Sequence, residues 1–275
     1  MRVYVTGASG YIGTPLVAAL REAGHEIVGG LSGTPDYVMH LAAASDARGS
    51  HAVPLGYYED NVVGTLNLLQ RLTRPYPRFI YASSSVAAFP ESSPYAATKA
   101  ACEHMIFAAA KAYGFEAVAL RPFVVAGAMG GYGEAHTPET HLVPKAVQAQ
   151  LCNAAVPANF AAPGRGAVRD YVHVADVVSA FLAAMTAPSG TYEVGTGQPS
   201  SIMDVVEAVG CRVAYGVAAP EPGKLVSDPA RWLPGWAPRY GLARIIETDR
   251  QWRLTGCATL LRGEQEHERS AQQQR

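Results

Sequence analysis

Arg2–Gly13 reads RVYVTGASGYIG, and this stretch decides the fold. From Arg2 to Thr6, Val3 and Val5 alternate with other residues, which is the period of a strand. Gly7, Gly10 and Gly13 follow as GxxGxxG. Ile12, Leu16, Leu20 and Ala23 then keep helical spacing up to Gly24, which falls where a helix needs a left-handed stop. Strand, glycine turn and helix in this order suit a dinucleotide. The glycines permit a tight turn, a close approach of backbone to a pyrophosphate and close helix packing, while the helix N-terminus offers free N–H groups to the anion.

Outward from this corner the chain alternates strands and helices. Glu26 to Val28 and Tyr37 to Leu41 read as strands, Asp60 to Arg71 as a helix with Val62, Leu66 and Leu69 on one face, and Phe79 to Ala82 as a strand. A helix is predicted from Tyr95 to Tyr113 and a strand from Ala117 to Arg121. Glycine, proline and loop residues dominate up to Gly166. DYVHVADVVSAFLAAM then resumes an apolar helix, with TYEVGTG as strand and turn. The pattern predicts an α/β fold with a doubly wound parallel sheet. Residues 1–126 form the dinucleotide domain, joined again by 167–195, and 127–166 with 196–262 form a smaller substrate lobe. Residues 263–275 are a polar tail.

Two features depart from a full doubly wound sheet. The second strand normally ends in an acid that holds the ribose hydroxyls, but here that place reads Gly29, Gly30, Leu31, Ser32. No Arg or Lys stands there to meet a 2′-phosphate, so NAD is favoured over NADP. Moreover, eight residues separate Val28 from Tyr37, whereas a helical crossover between parallel strands needs at least about 10 to 12. One strand–helix unit is therefore missing, and the adenosine side is open.

Composition removes other function classes. With 22 basic and 23 acidic residues the net charge is −1, which gives no field to attract nucleic acid or an anionic membrane. No window of about 18 apolar residues occurs, and the chain enters a strand without a hydrophobic leader, so a cytoplasmic protein is expected. Cys102, Cys152, Cys211 and Cys257 lie too far apart for a CxxC metal site or a dense disulfide framework, and no metal is expected. A small-molecule partner remains.

Tyr95 and Lys99 stand four apart in SPYAATKAACEHMI and share a helix face. A nearby ammonium stabilises a phenolate, which predicts a lowered tyrosine pKa and a general base at neutral pH. Ser83, Ser84 and Ser85 close the preceding strand and offer a hydroxyl to the same substrate oxygen.

These residues resemble the extended short-chain dehydrogenase/reductase family over about Arg2 to Leu254. The segments that carry the likeness include TGASGYIG, VMHLAAASDARGS, PLGYYEDNVVGTLNLL, YASSSVAAF, SPYAATKAACEHMI and RPFVVAGA. GEAHTPETHLVP and VRDYVHVADVV resemble, more narrowly, the UDP-glucose 4-epimerases of that family. The resemblance implies bound NAD that takes a hydride from C4 of a nucleotide sugar and returns it to the other face. It implies Tyr95 as base, Lys99 as its tuner and holder of the nicotinamide ribose, and Ser85 on the sugar hydroxyl. Gly7, Gly10, Tyr11, Ile12, Gly13, Leu41, Ala42, Asn61 and Phe123 would contact NAD. His141, Leu142, Arg169 and Glu221 would line the nucleotide-sugar side, Arg169 by pairing with a diphosphate and Glu221 by binding a ribose. A homodimer through the helices Asp60 to Arg71 and Tyr95 to Tyr113 is also implied.

Against that family pattern, Val124 replaces an Asn, Ser45 replaces a Lys, and the loop between Ser85 and Tyr95 is only nine residues long. APEPGK also lacks an Arg that would support Arg169. Two other outcomes therefore stand beside the epimerase: a dehydratase or reductase of the same family, for which YASSSVAAF supplies no acidic pair, and an inactive descendant of the epimerase fold.

Overall fold

A computed structural model of the chain describes residues 1–74, 76–135, 139–158, 164–216 and 224–255. In chain order the regular elements are β1 (Arg2–Thr6), α1 (Gly13–Glu22), β2 (Glu26–Val28), β3 (Tyr37–His40), α2 (Pro54–Tyr57), a π-helical turn Tyr58–Val63, α3 (Gly64–Gln70), β4 (Arg78–Ala82), α4 (Pro94–Tyr113), β5 (Ala117–Pro122) and β6 (Val124–Ala126). They continue with α5 (Leu142–Leu151), β7 (Ala155–Ala158), β8 (Val168–His173), α6 (Val174–Ala183), β9 (Gly190–Val194), β10 (Pro199–Ser201), α7 (Ile202–Val209), β11 (Arg212–Tyr215) and β12 (Lys224–Leu225). A last helix covers 242–255.

Six strands pair in parallel in the order β2-β1-β3-β4-β5-β9. The chain leaves β1 toward β2 on one side and returns to β3 on the other. This reversal opens a crevice at the carboxyl ends of β1 and β3, where ligands of doubly wound sheets bind. Near-continuous apolar strands fit a sheet covered on both faces. Val3, Val5, Met39, Ile80, Val118 and Leu120 meet Leu16 and Leu20 of α1 and Val177 and Phe181 of α6. On the other face, Val38, Phe79, Tyr81 and Ala119 meet Leu68 and Leu69 of α3 and Cys102 and Ile106 of α4. A third apolar cluster joins Val143 and Val147 of α5, Val205 and Val209 of α7, Val156, and Ile245 of the last helix.

The short link between β2 and β3 contains a single 3-10 turn, Leu31–Gly33. Leu31 packs on the cluster beneath α3 and α4. Asp36 then closes the link at the foot of β1, its amide donating to the Arg2 carbonyl at 2.8 Å and its carboxylate accepting from the Arg2 amide at 2.7 Å. Among the described residues no strand lies outside β2 in this sheet.

Two readings of the sequence need correction. DYVHVADVV is not one helix: Val168–His173 is a strand, and the helix begins only at Val174. His173 is extended and its ring caps the Ala175 amide, so it ends the strand and starts the helix. The stretch after Pro122, read as loop, carries β6, α5 and β7. Its prolines misled the reading, because Pro144 sits in the first turn of α5, where the missing N–H costs nothing.

Candidate active site

The glycine loop is shaped by backbone meeting backbone. Gly7 adopts φ +68°, and a Cβ there would stand 2.8 Å from the Ala42 nitrogen. A Cβ on Gly13 would come within 2.0 Å of the Gly7 carbonyl. Thr6 ties the loop to the turn after β3, its Oγ1 accepting from the amides of Leu41 and Ala42, each at 3.1 Å. Among the described residues the amides of Tyr11 and Ile12 have no acceptor. A cradle closed to any side chain, with open amides at the start of α1, fits the pyrophosphate of a dinucleotide. The Tyr11 side chain serves another end. Its hydroxyl donates to the Gly127 carbonyl at 2.6 Å, and burial, with Glu134 beside it, raises its pKa well above the ordinary value.

His40 lies under this loop. Its Nδ1 is 2.7 Å from the Thr6 hydroxyl and its Nε2 is 2.9 Å from the Thr65 hydroxyl, which itself donates to the Asn61 carbonyl at 2.6 Å. That direction assigns the ring proton to Nε2 and the acceptor to Nδ1. Burial, and then the charge of Lys99, lower the His40 pKa to about 3, so the ring is neutral.

Asn61 is placed differently from its expected role as a dinucleotide contact. Its Oδ1 accepts from the Ala44 amide at 2.8 Å, and its Nδ2 donates to the Ala44 carbonyl at 3.1 Å and to Thr98 Oγ1 at 3.0 Å. Both donors are spent inside the protein. Asn61 therefore pins the turn after β3 to α4. Leu41 and Ala42 do sit at the crevice beside Gly7, while buried Phe123 uses its amide on the Val194 carbonyl at 3.0 Å.

Ser93 starts α4 by accepting from the Ala96 amide at 3.1 Å, which sets Tyr95 and Lys99 on the inner face. Lys99 Nζ donates to the Ala82 carbonyl at 2.7 Å and stands 4.9 Å from the centre of the Tyr81 ring and 5.8 Å from that of Tyr95. An ammonium has three donors, and no second acceptor meets it among the described residues. Desolvation lowers the Lys99 pKa to about 8. A buried ammonium with donors to spare fits ribose hydroxyls.

Ser84 stands close enough to the Tyr95 phenol to lower its pKa. Ser85, expected on the sugar hydroxyl, is buried at the start of the 3-10 segment that follows β4. The expected low tyrosine pKa is not found. Burial, with the Tyr57 phenol adding to it, pushes Tyr95 up to about 12 against a lowering by Ser84, and Lys99 is not among the groups that shift it. Beneath the serines, Glu103 accepts from Ser83 and from Arg121 at 2.8 and 2.6 Å, an ion pair the sequence reading missed.

On the other side, His141 precedes α5 and bonds to buried Glu134, which raises the His141 pKa. Leu142 opens that helix. Arg169 lies on β8 and donates to the Val168 carbonyl at 2.9 Å. Asp170 faces the other way, accepting from Thr196, Gly197 and Ser227, so it is a fold clamp. Val124, on β6, pairs with Tyr171 of β8. Glu221 lies outside the described residues.

The fold and the loop together define a doubly wound dinucleotide protein with a Ser-Tyr-Lys constellation at the sheet's carboxyl edge. The sequence profile of the NAD dependent epimerase/dehydratase family matches residues 30–195, and the chain belongs to that family. It is 30% identical to a UDP-glucose 4-epimerase of Halalkalibacterium halodurans, over 92% of this chain and 95% of that one. A UDP-glucose 4-epimerase of Streptomyces lividans is 31% identical over 90% and 94%. The crystal structure of UDP-glucose 4-epimerase from Brucella ovis in complex with NAD superposes with a TM-score of 0.81 at 29% identity, covering 91% of this chain and 97% of that one. The first of these alignments extends over 320 positions against 275 residues in this chain, so at least 45 positions of the relative have no counterpart here.

Lys99 supplies a test of this electrostatic account. Between about pH 8 and its ordinary 10.5 the folded chain has released a proton that the unfolded chain still binds, so stability rises with pH across that window. Chemical denaturation as a function of pH is expected to show the rise in the native chain and not in Lys99→Met. An equal rise in both contradicts the assignment.

Proposed function

We propose that this protein is an NAD-dependent epimerase that inverts C4 of a nucleotide sugar of the UDP-glucose/UDP-galactose type. The observation that carries the reading is the meeting, at one edge of one sheet, of a glycine cradle with open amides and a buried Lys99 beside Tyr95 and Ser84. NAD, when bound, supplies a reversible hydride acceptor for C4. Tyr11 and Ile12 hold the pyrophosphate through their amides, within the loop shaped by Gly7, Gly10 and Gly13. Lys99 holds the nicotinamide ribose with its remaining donors. Tyr95 takes the proton of the sugar 4-hydroxyl and gives it back, and Ser84 holds the phenol and that hydroxyl in one hydrogen-bonded chain. Arg169 pairs with the diphosphate, a task suited to a guanidinium, while His141 and Leu142 border the nucleotide.

In this reading residues 1–126 and 167–195 carry the cofactor, and 127–166 with 196–262 carry the sugar nucleotide. The separate apolar cluster of α5, α7 and the last helix supports that division. The cytoplasm is the assigned compartment. In support, Cys102, Cys152 and Cys211 are free thiols, and no helix among the described residues is long and apolar enough to cross a membrane.

The chain also forms a homodimer in this reading. Leu55, Tyr58, Val63 and Leu66 are exposed along the helical stretch from α2 to α3, an apolar stripe of the kind that marks interaction sites. Light scattering is expected to give a dimer for the native chain and a monomer for the double variant Leu55→Glu, Leu66→Glu. A monomeric native chain contradicts it.

Replacing Tyr95 with Phe is expected to lower turnover of UDP-galactose by about 10²- to 10⁴-fold, the range for a lost general acid–base group, with NAD retained. Ser84→Ala is expected to cost more activity than Ser85→Ala. Turnover unchanged in Tyr95→Phe, or a Ser85→Ala defect as large as that of Ser84→Ala, contradicts the roles assigned.

A further inference from the structure

A cavity of about 580 Å³ opens beside the glycine loop, and it is bordered by Thr6, Ala42, Ala44, Asp60, Gly64 and Asn67. Ligand sites commonly have volumes of about 300–1,000 Å³. Two features place it. Thr6 and Ala42 are the residues that frame Gly7, so the cavity is continuous with the proposed pyrophosphate cradle. The helical stretch ending in α3 runs from the carboxyl end of β3 back toward the amino end of β4, so Asp60 stands at the same edge of the sheet as the loop and Asn67 lies deeper.

The lining residues share one helix face. Asp60, Gly64 and Asn67 follow each other at spacings of four and three, whereas Val63 and Leu66 point elsewhere, to the exposed apolar stripe. Gly64 at the middle leaves the cavity open, since a Cβ there would meet nothing nearer than the Glu59 carbonyl at 4.0 Å.

The end of β2 does not perform the task it has in a full doubly wound sheet. Gly29 and Gly30 have open space around them, no carboxylate occurs up to Ser32, and Asp36 is engaged by the Arg2 amide at 2.7 Å. We propose that the adenosine half of the dinucleotide is held in the cavity on the α3 side of β1, with the Asp60 carboxylate accepting from the ribose hydroxyls and Asn67 meeting the base edge. The inference rests on the NAD reading above and relocates one half of that site. The short β2–β3 link removes the ribose acid at β2 and leaves the α3 face beside β1 open to receive the nucleoside.

The test is calorimetric titration of the full chain with NAD and with ADP-ribose. Asp60→Asn is expected to weaken both by about tenfold, the scale of a lost hydrogen bond to a charged group. Gly64→Leu fills the cavity, and because leucine favours a helix over glycine its thermal midpoint is expected to equal or exceed that of the native chain while ADP-ribose binding is lost. Undiminished binding of NAD and ADP-ribose in both variants overturns the placement and leaves the NAD reading standing. A native chain that binds neither ligand overturns the NAD reading, and the placement with it.

Discussion

Eight residues between β2 and β3 set the terms for the rest of the molecule. Since β2 and β3 flank β1 on opposite sides and all three are parallel, the link must cross β1 and return to its foot. That length admits a 3-10 turn and no helix. The crossing is secured by Leu31 against the α3–α4 cluster and by the paired Arg2–Asp36 backbone and carboxylate bonds. What a helix would cover is left as the cavity beside Thr6, Ala42 and Asp60.

A chain of hydrogen bonds runs from Thr6 through His40 and Thr65 to the Asn61 backbone, and the Asn61 side chain continues it to Thr98 on α4. It joins the glycine loop, the turn after β3 and the helix that carries Tyr95 and Lys99. Because every member is buried or half-buried and satisfied, the network favours one arrangement of loop and helix. A neutral His40 suits this task, since a charge there would face Lys99. The shortening and the retained constellation share one face of the sheet, with Leu31 of the link and Cys102 of α4 in the same apolar cluster.

Much of this was legible in the sequence. The strand–glycine–helix order at Arg2–Gly13, the eight-residue link and the Tyr95–Lys99 pair each follow from spacing, and each is in place. What was not legible depends on three-dimensional direction. Three serines in a row give no sign which one influences the Tyr95 phenol, and Ser84 is the one that lowers its pKa. Asn61 looks like a ligand contact in one dimension, but its amide is spent on Ala44 and Thr98. The tyrosine–lysine spacing announces a face without announcing that burial pushes Tyr95 up to about 12. Glu103 was invisible because its partners, Ser83 just after β4 and Arg121 on β5, are far from it in the sequence. The helix start at Val174 was masked by the continuous apolar character of strand and helix.

The central claim is that a sheet shortened outside β2 still closes around a dinucleotide. The most direct measurement is to denature freshly purified protein and quantify released NAD and NADH by chromatography and mass spectrometry. The account predicts about one dinucleotide per chain, either carried through purification or taken up on incubation with NAD, as a one-site cradle requires. No dinucleotide released after incubation with NAD would contradict it.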